Sequence, residues 1–371
     1  MKRPIALLAS LLAVTVLATA AAAAGGDSSD PLISLNYLQT VFTAKANSSI
    51  DASLDKTGQT AYTQAETVLR STVAAAEANA AAQRADVFTE ARLKQGDMLS
   101  GPTGLQVIVL AGNVNVQFSS GAVIDVTTGS EVSSSASLAE NHRYLVAEDT
   151  TALFAVTGKT AVLSYCGLYS LSPAPSVDYP AMAAALETIS LFRGSDTGYG
   201  EGFDLEKAPT RMEALIMLIR LLGEESEALA CTAYQPFADV PDWAEPYAAY
   251  AYAKGYTNGV EPTMFGTTMS ASAEMYTEFL LRALRYSSTA QTDISNAPER
   301  AYFAGVLTSG EVSALRASAF LRADVAYLSY YALETNVNGG GALSDVLIAR
   351  GVFSDAAYRD SRAMVNSARI G

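Results

Sequence analysis

Hydrophobic and polar positions change their rhythm several times along the chain. Lys2 and Arg3 precede an apolar run, Ile5–Leu17, and then a stretch of small residues, Ala18–Ala24. A basic start, a short apolar core and an Ala-x-Ala end predict a secretory signal peptide over residues 1–24. The apolar core is shorter than the ~20 residues that span a bilayer. Residues 25–59 read as a leader or linker, polar at first and more apolar from Leu32 to Phe42. Residues 60–95 hold no Gly or Pro and are rich in Ala, Glu, Gln and Arg, which predicts a helix. Tyr62, Ala65, Leu69, Val73 and Ala76 fall on one stripe of it. Such a helix either lies on a neighbouring domain or projects as a stalk.

Over residues 96–171 the period shortens to two. Leu105–Ala111 is continuously apolar, Val114, Val116 and Phe118 alternate, and further β-rich runs follow at Ala122–Thr127, Arg143–Ala147, Ala152–Thr157 and Ala161–Tyr165. Gly112-Asn113, Gly121, Gly129-Ser130 and Gly158-Lys159 read as turns between them. The pattern predicts a small antiparallel β sandwich or roll. Residues 172–178, with Pro173 and Pro175, read as a linker. Beyond it the chain becomes helical, and an interval repeats. Gly194 to Arg211, Gly255 to Ser272 and Gly305 to Arg322 each span 17 residues, with an apolar helix at the end. A fixed period predicts stacked copies of one unit, at residues 179–230, 234–287 and 292–335. Residues 336–371 form a helical tail, with a helix over Ala342–Phe353. The expected class is α+β, multidomain.

Composition narrows the chemistry. Lys and Arg number 24 against 38 Asp and Glu, a net charge of −14. That argues against a nucleic-acid partner, which needs clustered cations. An anionic polymer would likewise be repelled on average, so it could be held only in a local pocket. Cys166 and Cys231 are the two cysteines, and the sequence leaves open whether they pair or stay as thiols. His142 is the one histidine and reads as a turn residue. With one His, no Gly-rich phosphate loop and no Cys-x-x-Cys, no metal, cofactor or catalytic constellation is implied, and the chain does not read as an enzyme.

The middle copy runs Phe237-Ala238-Asp239-Val240, Trp243-Ala244, Gly255, Phe265 and then a helix, and the first supplies Thr210-Arg211-Met212-Glu213. These residues resemble the S-layer homology family. The resemblance implies a pseudo-threefold all-α bundle of three repeats. It also implies non-covalent anchoring of a secreted protein, at the cell surface, to a secondary cell-wall polysaccharide that carries pyruvylated sugars. In that family the Arg meets an acidic sugar in a groove between repeats, which would give Arg211 and Arg322 this role, the other reading of Arg211 being a structural ion pair with an internal acidic partner. Trp243 would either pack the first helix of its repeat or stack on a sugar. Thr210, Glu213, Asp239, Gly255, Glu274 and Asp324 would be supporting positions. On local grounds Thr210 and Glu213 form a capping box and Asp239 caps the turn into the next helix. The glycines at 194, 255 and 305 end helices. The second copy has Ser272 where the others have Arg. Two other readings are a structural or protein-interaction module whose repeats no longer bind glycan, and an extracellular binder whose site lies in the β domain.

Overall fold

The computed structural model describes residues 38–82, 84–196 and 201–371. The expected signal peptide and the first part of the leader lie outside them. The chain divides into two compact units at Asn79/Ala80.

A π-helical turn, Leu38–Phe42, leads into α1, Thr43–Ala82, and the first unit consists of these two up to Asn79 among the described residues. The helix therefore starts well inside the expected leader of residues 25–59, and it ends before residue 95. Thr57, Thr60, Thr63 and Thr67 each donate a hydroxyl to the carbonyl four residues back, which keeps polar side chains compatible with the helix. Tyr62 and Leu69 of the expected stripe are exposed.

The second unit contains an eight-stranded antiparallel sheet followed by helices. Its strands are β1 Arg84–Lys94, β2 Met98–Pro102, β3 Gln106–Gln117, β4 Ala122–Asp125, β5 Ser130–Val132, β6 Arg143–Ala147, β7 Thr151–Leu168 and β8 Ser170–Ser172. The order is β5-β4-β6-β3-β7-β2-β8, with β1 also paired to β7. Residues 84–94 correct the expected helix of residues 60–95. Ala, Glu, Leu, Arg and Lys there favour a helix, but Val87, Phe88 and Thr89 favour a strand, and pairing along β7 from Thr160 to Leu168 decides between them. Gly112-Asn113 and Gly158-Lys159 are not turns either. β3 and β7 run straight through them with shifts of register at Val109/Ala111 and Gly112/Val114. Val107 and Val109 face the core before the shift, and Val114 and Val116 after it. β7 changes phase the same way, from Phe154 and Val156 to Ala161 and Leu163. The inward face of β3 flips by one residue only between Ala111 and Val114, at the second shift. A sequence reader sees the resulting break in alternation as a loop.

The linker at residues 172–178 is tied to the sheet. The Ala174 N–H donates to Asp97 and the Ser176 hydroxyl to the Gln95 carbonyl. Lys159 extends from the sheet to the helices, donating to Asp324 Oδ2 at 2.6 Å and to the Ala319 carbonyl at 2.9 Å.

The helices are α2 Tyr179–Thr188, α3 Arg211–Leu221, α4 Glu225–Leu229, α5 Glu245–Lys254, α6 Ala273–Ala283, α7 Ala297–Phe303, α8 Ser309–Ala317, α9 Arg322–Ala332, α10 Leu343–Ala349 and α11 Asp355–Ala363. Three of them, α3, α6 and α9, have 11 residues each and are followed by Leu222, Leu284 and Leu333 as C-caps. α3 packs on both α6 and α9, and Tyr276 of α6 meets Ser329 of α9 through a buried hydrogen bond of 2.7 Å. One apolar core runs through all of them.

The connections differ from copy to copy. A two-stranded ribbon, β9 Ser195–Asp196 with β10 Glu201–Gly202, precedes α3, an irregular loop precedes α6, and α8 precedes α9. Gly255 and Gly305 adopt left-handed conformations at helix ends, as expected. Gly194 does not: Ser190, with φ of 63°, reverses the chain after α2. The tail holds two helices rather than one, because Gly351 at φ 76° breaks the run Ala342–Phe353. Its end returns to α8, where Arg369 pairs with buried Glu311 at 2.6 Å.

Candidate functional site

The start of α3 carries the most unusual side-chain environment in the helical region. Thr210 and Glu213 form the capping box that the sequence predicts. This fixes the first turn and places Arg211 at its first position. The loop before α6 lies along that turn. Arg211 N–H donates to the Met269 carbonyl at 2.7 Å, and Ala271 N–H to the Pro209 carbonyl at 2.8 Å. The Arg211 guanidinium sits between two rings, with its central carbon 5.1 Å from the Phe265 centroid and 4.8 Å from that of Phe279. The residue is only 4% exposed. Among the described residues, no hydrogen bond or ion pair reaches its guanidinium, and its Nε is fully buried without a partner.

A buried cation without a partner is costly, because it loses water and regains nothing. Burial pushes Arg211 down to about 10, the Arg282 charge adds to the effect, and Asp239 opposes it. The guanidinium borders a cavity of about 210 Å³, also lined by Asn258, Met275, Glu278, Phe279 and Arg282. That is room for several waters at roughly 30 Å³ each. Arg282 is fully engaged. It donates to Glu278 at 2.8 Å, to Asn258 Oδ1 at 3.1 Å and to the Gln291 carbonyl at 2.8 Å. Glu278 is shared further, with Ser287 and with Arg300. One carboxylate thus answers two guanidiniums beside a third that has no ion pair. In a chain of net charge −14 this corner carries local positive charge. What it can do chemically is accept a small anion, with Arg211 as a planar two-pronged donor.

Asp239 builds the wall of this site rather than capping the next helix. Its carboxylate reaches across to the loop after Met264 and accepts the N–H groups of Phe265, Gly266 and Thr267 at 2.7, 2.8 and 2.9 Å. That clamp sets the Phe265 ring over Arg211. Gly266 is left-handed at φ 83°, and a Cβ there would come within 3.4 Å of Arg211 Cδ. Burial alone would raise the Asp239 carboxyl, yet the three backbone donors hold it below its ordinary value. A depressed carboxylate stabilises the fold above its unfolded pKa, and that contribution is lost as pH falls through the folded value. Asp239→Asn is expected to cost on the order of 1–2 kcal/mol at pH 7, since solvent screens part of the charge. It should also remove some of the loss of stability that the parent shows on acidification. Urea midpoints of the two proteins at pH 7 and below pH 4 check both.

The other expected positions separate. Arg322 also begins its helix, and its N–H donates to the Lys207 carbonyl as that of Arg211 does to Met269. Its guanidinium, however, donates to the Phe203 carbonyl at 2.9 Å and lies in the fields of Glu213 and Asp204. In the middle copy the register is one residue off the expected one. Ser272 is the N-cap of α6, accepting from Met275 N–H, so Ala273 stands where the others have Arg. Met269 and Lys207 each lie four residues before their helix start, which fixes the same alignment independently. Glu274 is therefore the second helical residue, not the third. It cannot close a capping box, and faces Arg316 at 3.6 Å. Asp324 is at the third position and accepts from Leu321 N–H, but Leu321 has no hydroxyl to return the bond. Trp243 sits on a short 3-10 turn, Asp242–Ala244, and is 62% exposed. His142 Nδ1 is 2.7 Å from Asp125 in the β-sheet region, and Cys166 and Cys231 are free thiols.

Glu278, Arg282 and Asn258 were missed by sequence reasoning. A signal existed: Glu278 and Arg282 are four apart and bracket Phe279-Leu280-Leu281, a charged pair within an apolar run. No known protein-family model matches the chain, and no curated protein matches it in sequence, so the likeness to S-layer homology repeats rests on the residues quoted above.

Proposed function

We propose that this is an exported cell-surface protein that attaches non-covalently to an acidic cell-wall polysaccharide through its helical repeats, and that it is a binding protein rather than an enzyme. The observation that carries the reading is Arg211: a buried guanidinium, held between two phenyl rings, without a hydrogen-bond or ion-pair partner among the described residues, and facing a cavity. Its counter-charge comes from the ligand. The three equal helices α3, α6 and α9, each closed by Leu, support three copies of one unit around a pseudo-threefold axis. Arg211 is the ligand-binding member of the set. Arg322 is engaged internally and Ala273 has no charge to offer, so one groove binds and two serve the architecture. Among the described residues no helix is long and apolar enough to cross a membrane, and wall attachment gives the chain a means of retention that needs none.

The test is sedimentation of the whole chain with purified bacterial cell walls. The protein should pellet with intact walls and stay in solution when the wall polysaccharide has been stripped. Arg211→Ala should weaken pelleting by on the order of 1.5–3 kcal/mol, the value of a charge-assisted hydrogen bond. Arg211→Lys should recover only part, since it keeps the charge and loses the fork. Equal pelleting with stripped walls would favour a second reading, a protein-interaction module. The engagement of Arg322 and the Ala at 273 speak for that reading.

A further inference from the structure

The cavity at Arg211 does not stand alone. Asn258 lines it, and Asn258 also lines a second, more open cavity of about 550 Å³ together with Tyr252, Lys254, Gly255 and Thr289. The shared residue is fixed from both ends. Its Oδ1 accepts from Arg282 at 3.1 Å and its Nδ2 donates to the Thr289 carbonyl at 3.1 Å. The backbone beside it is equally set. Gly259 is left-handed at φ 82°, and a Cβ there would strike Phe237 at 2.5 Å and the Met264 carbonyl at 2.6 Å. Asn258 is thus a rigid sill between two compartments rather than a gate.

The outer compartment has its own chemistry. Lys254 ends α5 and is exposed. Its Nζ lies 5.3 Å from the Tyr250 centroid, one turn back, which restrains the ammonium without neutralising it. The Tyr252 ring is held edge-on against Phe237, with centroids 5.6 Å apart at 88°. It keeps 38% of its surface open. A fixed aromatic ring with a polar tip, next to a cation, suits a sugar ring that carries an acidic group. The inner cavity alone is below the ~300–1,000 Å³ usual for small-molecule sites, and the two together fall within that range.

We infer that the site takes an acidic oligosaccharide across two adjoining subsites: one acid-bearing sugar against Arg211, and the following sugars over the Asn258 sill, on Tyr252, with a second anionic group at Lys254. The inference rests on the wall-polysaccharide reading and adds to it a length and a charge spacing. The ligand must be at least two sugars long, and its acid groups must recur along the chain rather than sit once at an end.

Fragments of one to four sugars, released by mild acid from purified walls and separated by length, supply the probes. A second set with the carboxyl groups reduced to alcohols supplies the controls. Titration calorimetry with the whole chain should show at least a tenfold gain in affinity from one sugar to two or three, and no binding of the reduced set. Lys254→Ala should remove about fivefold or more of that gain while leaving the single sugar unchanged, and Lys254→Arg should restore it. Arg211→Ala should weaken every length. If length makes no difference, or if Lys254→Ala weakens one sugar and three alike, the outer subsite is wrong although the Arg211 site stands. If Arg211→Ala changes nothing, or no acidic fragment binds the parent, the polysaccharide reading falls and the subsite with it.

Discussion

Arg211→Met is expected to make the ligand-free protein more stable while removing its capacity to hold walls. Met keeps the unbranched stem and its packing against Gly266, and replaces a desolvated charge by a soft apolar tip that fits between Phe265 and Phe279. Cation–π contact with two rings offsets part of the cost of burying the guanidinium, by about 0.5–2 kcal/mol. It does not offset the whole, since desolvating a single charge costs several kcal/mol even after relaxation. Replacing buried charges by hydrophobic residues often stabilises by about 1–4 kcal/mol, and a gain of about 1 kcal/mol or more is expected here. Thermal melts without ligand, run beside wall sedimentation, read both effects. A binding site that is strained when empty gives opposite signs, stability up and binding down. An Arg that merely joined two repeats would give one sign, with both falling together, and that outcome would remove the basis for the binding role.

Much of this was legible in the chain. Thr210 and Glu213 announce a helix start through their spacing alone, and the apolar content of α3 announces its burial. The Arg between them stands out because a cation at a helix N-terminus opposes the macrodipole and needs a reason. What the chain hid was of two kinds. Bulges break alternation without breaking a strand, so β3 and β7 looked like four short strands with turns at Gly112 and Gly158. Cross-chain clamps leave no local trace either. Asp239 looked like a helix cap because its role, holding the loop at Phe265–Thr267, lies some 26 residues away. The spacing argument failed at Ser272 for a related reason. A glycine-to-helix interval measures the loop as well as the helix, and the loop before α6 differs by one residue from the one before α9. The helix end was the better ruler, since Leu222, Leu284 and Leu333 all stand at the same distance from their helix starts.

Glu278→Ala should be the most damaging single change at the site. Glu278 is 2% exposed, and its oxygens serve Arg282 at 2.8 Å, Ser287 at 2.6 Å and Arg300. Its removal leaves Arg282, itself only 7% exposed, with a side-chain amide and a carbonyl but no opposite charge. Arg282 would also face Arg211 across the same cavity. Breaking a buried pair from one side costs about 3–5 kcal/mol, more than the pair contributes when whole, because a charge stays behind. The urea midpoint should fall accordingly, with no change in slope. Glu278→Gln should cost less, since it keeps the volume and one acceptor oxygen. Glu278→Leu combined with Arg282→Met should recover most of the loss, since no charge is then stranded. Acetate distinguishes an electrostatic loss from a packing loss. An anion that enters the cavity stabilises by mass action, so acetate should raise the midpoint of Glu278→Ala more than that of the parent, while chloride at equal ionic strength should not. If Glu278→Ala loses less than about 1 kcal/mol and ignores acetate, the guanidiniums are already neutralised by solvent in the empty site. In that case the positive corner on which anion binding depends is not there.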